Sequence, residues 1–145
     1  MALTPEDPTE TVYNLIDTYW DADKAGRIKP VINLYSRDAK LDQKGQVVVR
    51  DGTGNAPIRN LGQNSYRRVR ERIPVEIFAV SSEDMNKILY EVDRIIEERS
   101  LSPGGDLDHI LSTSWRALNE RMREPDLFHK RLIVIAVYDR VVTRA

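Results

Sequence analysis

The chain has 145 residues, 22 basic and 23 acidic side chains and a formal net charge of −1, a size expected for a single domain spanning 1–145. Hydrophobic residues supply 41% and charged residues 31% of the sequence, which excludes a wholly disordered chain. Cysteine is absent, which removes disulfides, thiolate metal sites and cysteine nucleophiles; the balanced charge singles out no partner class, so any electrostatic specialisation must be local.

The N-terminal stretch from Met1 to Pro8 has neither a basic nor an apolar run, which argues against a secretory signal. The first expected element follows it. Asp7 suits the N-cap, Pro8 the first helical position and Glu10 the capping-box site, after which Val12, Leu15, Ile16 and Tyr19 share one helical face and Trp20 extends it. Gly26 closes this region. Two short strands are expected next, Val31 to Tyr35 after Pro30 and Gln46 to Arg50 before Asp51-Gly52, because both are rich in β-branched residues and bounded by turn formers. The polar stretch from Ser36 to Gly45 reads as a loop. So does Gly52 to Asn64, with Gly52, Gly54, Pro57 and Gly62.

From Tyr66 to Val80 the pattern has period two. Val69, Ile73, Val75, Ile77 and Ala79 lie on one side and Arg68, Arg70, Arg72, Pro74 and Glu76 on the other, as in a strand covered on one face. Pro74 lacks a backbone donor, which predicts an edge position or a bulge. Ser81-Ser82-Glu83-Asp84 then caps an amphipathic helix whose Met85, Ile88, Leu89, Val92, Ile95 and Ile96 follow the helical repeat. A third helix is expected from about Leu107 to Arg123, on the spacing of Leu107, Ile110, Leu111, Leu118 and Met122, with Pro125 ending it. The last element, Phe128 to Thr143, reads as a long strand. Its middle is apolar on both parities, which predicts a helix on one side and another subunit on the other, with Leu132, Val134, Ala136 and Tyr138 as the candidate inter-subunit strand face. That apolar run is far too short to span a membrane.

The expected fold is therefore α+β, a mostly antiparallel sheet of about four strands packed by helices in the order α-β-β-β-α-α-β. Its strand-helix-helix-strand half is similar to part of a ferredoxin-like unit.

No chemistry-bearing motif accompanies this pattern. His109 and His129 stand twenty residues apart, without the close spacing of metal ligands, and His129 is expected as an exposed polar residue at a strand start. Glu97 with Glu98 fall on a solvent face, and Asp106 with Asp108 at a helix start, where they would complement the macrodipole. Gly52-Thr53-Gly54-Asn55 is too short for a dinucleotide fingerprint, and no serine sits in a nucleophile elbow. Neither a cofactor nor a metal is expected, and the chain reads as no enzyme. Arg68, Arg70 and Arg72 form the sharpest local feature: alternate residues on a strand place cations about 7 Å apart. Such a stripe can track phosphates near DNA or pair with acids of this chain or a neighbour.

From Tyr66 onward the sequence resembles the tail-terminator and head-tail joining proteins of tailed viruses, particularly archaeal ones. The features that carry the likeness are a basic strand running into Val75-Glu76-Ile77-Phe78-Ala79-Val80-Ser81-Ser82, the long helix from Met85 to Ile96, and the strand from His129 to Val137. The resemblance implies a tail-terminator-like fold and a homo-oligomeric ring, commonly a hexamer. Such a ring caps the tail tube in the virion and docks to neighbouring neck proteins, with Arg68, Arg70 and Arg72 facing either the DNA path or another subunit. Two other readings stay open: a stand-alone ferredoxin-like module that binds a ligand or nucleic acid, and an enzyme with a site around His109 or the Asp106/Asp108 pair.

Overall fold

The computed structural model describes residues 7–26, 28–35, 45–59, 64–105, 107–117 and 128–143, with the side chains of 54–68, 113–114 and 139–143 outside that description. The elements run α1 (Pro8–Tyr19), β1 (Val31–Leu34), β2 (Gln46–Val49), β3 (Thr53–Arg59), β4 (Asn64–Ala79), α2 (Ser82–Glu98), β5 (His109–Ala117) and β6 (Phe128–Thr143). The protein is α+β: six strands form one sheet in the order β1-β2-β4-β6-β5, with β3 also paired to β4. Among the described residues only the β1–β2 pair is parallel; every other pairing is antiparallel.

Both helices begin as their sequences dictate. The Asp7 carboxylate accepts the Thr9 N–H at 3.0 Å with Pro8 as first helical residue, and the Ser81 hydroxyl oxygen accepts the Asp84 N–H at 3.1 Å, so donors otherwise left bare at each N-terminus are satisfied. The apolar stripes of both helices then settle on one face of the sheet. Val12 and Ile16 of α1 and Met85, Ile88, Val92, Ile95 and Ile96 of α2 meet Val47, Val49, Ile73, Val75, Ile77, Ile110, Leu132, Val134 and Ala136 in one buried cluster. Removing such side chains from water is the main favourable term in folding, at about 25 cal/mol per Å² of apolar surface.

A buried ion pair fastens α1 to α2. Glu91, 2% exposed, accepts the Asp21 N–H just past α1 at 2.7 Å and pairs with Arg94 at 2.5 Å, while Arg94 also donates to the Tyr19 carbonyl at 3.1 Å. The hydrogen bonds from Arg94 to Glu91, with the nearby Glu98 carboxylate, hold the guanidinium well above its ordinary pKa.

Four expectations are corrected by this architecture. The segment expected as a third helix is instead β5, an antiparallel partner of β6 with a register shift between Ser112 and Ser114. The irregular residue at 113 offsets the apolar positions on either side of it, and that offset mimics helical spacing. The part of Gly52 to Asn64 expected as loop is largely β3, which continues the line of β2 along β4. The sheet accordingly has six strands rather than about four, and the order is α-β-β-β-β-α-β-β. Pro74 is not at a sheet edge: it lies in β4, between β2 and β3 on one side and β6 on the other. Its carbonyl accepts the Arg50 N–H at 2.9 Å, so its missing donor faces the same side, at the break where the β2 ladder has ended at Val49–Val75 and the β3 ladder begins at Thr53–Arg72. Gly52 sits at that break because a side chain there would meet the Arg72 carbonyl at 2.8 Å.

Candidate functional site

The register of β4 and β6 decides which residues share a face, because directly paired antiparallel residues project to the same side. Ile73 pairs with Val134 and Val75 with Leu132, whereas Arg70 pairs with Val137, Arg72 with Ile135, Pro74 with Ile133 and Glu76 with Arg131. The first set lies under the helices. The second forms the opposite face, to which β5 adds Leu111, partner of Ile135, and Arg116, partner of Arg131.

This second face is the candidate site. Leu111 is 40% exposed, while Ile133, Ile135 and Pro74 are half-buried, so an apolar band runs along it. Arg70, Arg72, Arg116 and Arg131 are exposed around that band. Arg70 and Arg72 make no ion pair among the described residues. Arg70 is the direct cross-strand partner of Val137 and Arg72 that of Ile135; Val137 is only 2% exposed, and long aliphatic stems on such a face can shield apolar surface while the charged head stays in water.

Toward one end the same face becomes a polar cluster centred on Glu76, 5% exposed. Its carboxylate pairs with Arg50 Nε, with Arg131 Nη2 at 3.0 Å and with His129 Nε2 at 3.4 Å. Burial alone would push the Glu76 carboxyl up; the hydrogen bonds and charges of Arg50 and Arg131 outweigh it and hold the group below the ordinary carboxylate range. His129 is buried here and stacks on Phe78, ring centroids 4.2 Å apart. The sequence places it as an exposed polar residue; the cross-strand pairing Phe78–His129 covers it instead. The cluster was legible in principle from the pairing of an acid on one long strand with an arginine on the other, but only once the register is known.

Arg70 and Arg72 thus stand together on the open face as the alternation implies. Arg68 occupies the matching register position opposite Asp139, and its side chain lies outside the described residues. Leu132, Val134 and Ala136 are placed otherwise than the sequence suggests. All three are fully buried within the chain's own core, because their parity faces the helices. The half-buried residues of the opposite parity, Ile133 and Ile135, are what the open face presents. Tyr138 lies on the helix-side parity, and its hydroxyl donates to Glu71 Oε1 at 3.5 Å; burial, with the Asp7 charge, raises the Glu71 carboxyl above its ordinary value.

His109 opens β5 and contacts the neighbouring Asp108 at 2.7 Å on the surface; Asp106 lies outside the described residues. A shallow groove of about 210 Å³ lies beside α1, lined by Thr11, Asn14, Leu15, Thr18, Tyr19, Pro103 and Gly105, and its described lining holds no carboxylate or imidazole. No helix is long and apolar enough to cross a membrane among the described residues.

Two helices laid on one face of a six-stranded sheet, with an apolar and arginine-rich opposite face, define the class of fold. No family model matches the chain, and no curated protein matches it. Among solved structures it is similar to a chain of the virion of a native gene transfer agent particle, with a TM-score of 0.57 at 15% identity, over 92% of this chain and 96% of that one. At that identity the likeness is one of fold, and it extends over nearly the whole of both chains.

Proposed function

We propose that this chain is a structural protein of a virion neck or tail, a tail terminator or head-tail joining protein, that acts through its surfaces and not through catalysis. In this reading it forms a closed ring, a hexamer as the sequence resemblance implies, that caps the tail tube and binds other neck and tail proteins. The observation that carries the proposal is the fold shared with a chain of a virion particle across 92% of this sequence. The open sheet face supports it: an apolar band edged by exposed arginines is the composition of an assembly surface, where arginine is enriched and isolated apolar patches mark contacts.

The test is native mass spectrometry with electron-microscope imaging of the purified chain. Closed rings of uniform size are the expected result. A chain that remains monomeric at high concentration, or that forms open filaments only, overturns the ring. A second reading, a stand-alone nucleic-acid-binding module, rests on the exposed Arg70 and Arg72, which make no ion pair among the described residues. It requires monomers that bind DNA with a steep salt dependence.

A further inference from the structure

The two layers of this nearly neutral chain carry opposite charge. The segments holding the helices, 7–26 and 81–99, contain eleven carboxylates against four lysines and arginines. The six strands contain nine lysines and arginines against three carboxylates. The imbalance reaches the surfaces: Glu10, Asp17, Asp23, Glu83, Glu97 and Glu98 are exposed on the helical side, and Arg70, Arg72, Arg116 and Arg131 on the open sheet face. Each side also offers apolar surface, Tyr90 and Leu101 beside the acids and Leu111, Ile133 and Ile135 beside the arginines.

Resting on the reading above, we infer that copies of this chain join head to tail, the open sheet face of one copy seated on the acidic outer surface of the α1–α2 layer of the next. The occupant of the sheet face is thus a second copy of the chain, and charge decides the orientation. Sheet against sheet would bring Arg70 and Arg72 against their own equivalents, and helix against helix would oppose acid to acid; like-charge contacts of that kind strongly disfavour a pairing. Sheet against helix joins unlike charges and leaves one face of each kind free at the two ends of any dimer. That is a heterologous contact, which repeats until rotation closes a ring. The ion pairs Lys87–Glu83 and Arg94–Glu98 neutralise part of α2 internally, which leaves Glu10, Asp17, Asp23 and Glu97 exposed with no ion pair among the described residues; Asp17 and Glu97 take one such acid from each helix.

Two variants test this by sedimentation and native mass spectrometry. One reverses the sheet face, Arg70→Glu with Arg72→Glu; the other reverses the helical face, Asp17→Lys with Glu97→Lys. All four positions are exposed, so folding, checked by circular dichroism and thermal melting, is expected to survive. Each variant alone now presents like charges on its two faces and needs a concentration about a hundredfold higher, or more, to assemble. Mixed in equal amounts they regain assembly, because each supplies the face that the other's reversed face attracts. A nonadditive rescue of that kind belongs to facing surfaces and not to general loss of charge. Variants that assemble as readily as the parent chain, or a mixture no better than its parts, overturn the head-to-tail contact while closed rings would leave the virion reading standing. Open filaments with full rescue would do the reverse. A parent chain that is monomeric throughout overturns both, and DNA binding by that monomer, lost in the arginine variant alone, identifies nucleic acid as the occupant.

Discussion

Arg131 on β6 reaches its direct cross-strand partner Glu76 on β4, Nη2 to Oε1 at 3.0 Å, and the carboxylate it meets is buried beneath the arginine-rich face. Arg50, at the break between β2 and β3, closes on the other oxygen of the same group and donates to the Tyr35 carbonyl at 3.3 Å. One carboxylate therefore ties together β2, β4, β6 and the turn after β1. Glu76→Ala leaves those cations without their partner. Because the Arg50 and Arg131 side chains are 40% and 44% exposed and regain water, the expected loss is about 1–3 kcal/mol, read as a lower melting temperature.

The same carboxylate sets a pH dependence. Its pKa in the folded chain lies below the ordinary value of 4.5, so its contribution is present above that value and is lost as pH falls through the lower folded one. Thermal melts across the acid range should show the parent chain losing stability in that window. Glu76→Gln, which has no proton to gain there, should lose less. Equal acid sensitivity in the two proteins would show that other groups govern the transition.

Glu91 gives a second measurable contribution, at the joint between the helices. Its carboxylate is almost wholly buried, yet it is held by Arg94 and by the Asp21 N–H at 2.7 Å. Glu91→Ala removes both and strands a backbone donor, with an expected loss of about 2–4 kcal/mol. Glu91→Gln keeps an oxygen for the Asp21 N–H and should lose less. Hydrogen exchange at Asp21 separates the two: protection is retained in the glutamine variant and lost in the alanine one.

Which parts of this architecture the sequence disclosed follows from how local their signals are. The start of α1 at Pro8, the capping of α2 by Ser81 and the alternation of β4 depend on neighbouring residues, and all of them hold. The fate of Leu107 to Ala117 depends on a partner strand whose paired residues lie 13 to 28 positions away in the chain, and a register shift inside β5 disguises its period of two. Pro74 misleads for the same reason. A proline requires only that no ladder bond be needed on the side of its missing donor, which a break between two strands satisfies as well as a sheet edge does, and the break beside Gly52 cannot be read from Pro74 itself. The arginines of the open face were legible by parity, but the buried Glu76–His129–Arg131 cluster required the register of two strands fifty residues apart in sequence to be known.

Tyr35 holds the turn after β1 in a conformation rare for a residue with a side chain, at φ 68°, and its hydroxyl donates to the N-cap residue Asp7. That hydrogen bond, then burial and the Asp7 charge, push the phenol up to about 12 from an ordinary 10. The folded state thus favours the neutral phenol; its contribution is complete below pH 10 and is lost as pH rises toward 12. In a spectrophotometric titration one of the six tyrosines should ionise late, and Tyr35→Phe should remove that late step. Loss of the bond should also cost about 0.5–1.5 kcal/mol and loosen the N-terminus of α1. A late step that persists in the phenylalanine variant would assign it to another tyrosine.

Two neighbouring residues on β6 separate folding from assembly. Leu132 is fully buried under α2, so Leu132→Ala opens a cavity in the core and should cost about 2–5 kcal/mol. Ile135 lies three residues on, with the opposite parity, half-buried on the open face beside Leu111 and Arg72. Partial burial leaves it less to lose on folding, so Ile135→Ala should destabilise the isolated chain by roughly half as much. Its larger effect should appear in self-association, because there the remaining exposed area would be covered by the next copy. Melting temperature and sedimentation measured on both variants make a two-way comparison. If the sheet face is the contact, the leucine variant is the less stable protein and the isoleucine variant the poorer assembler; if Ile135→Ala assembles as well as the parent chain, the apolar band is not part of the interface and the arginines would have to hold it alone.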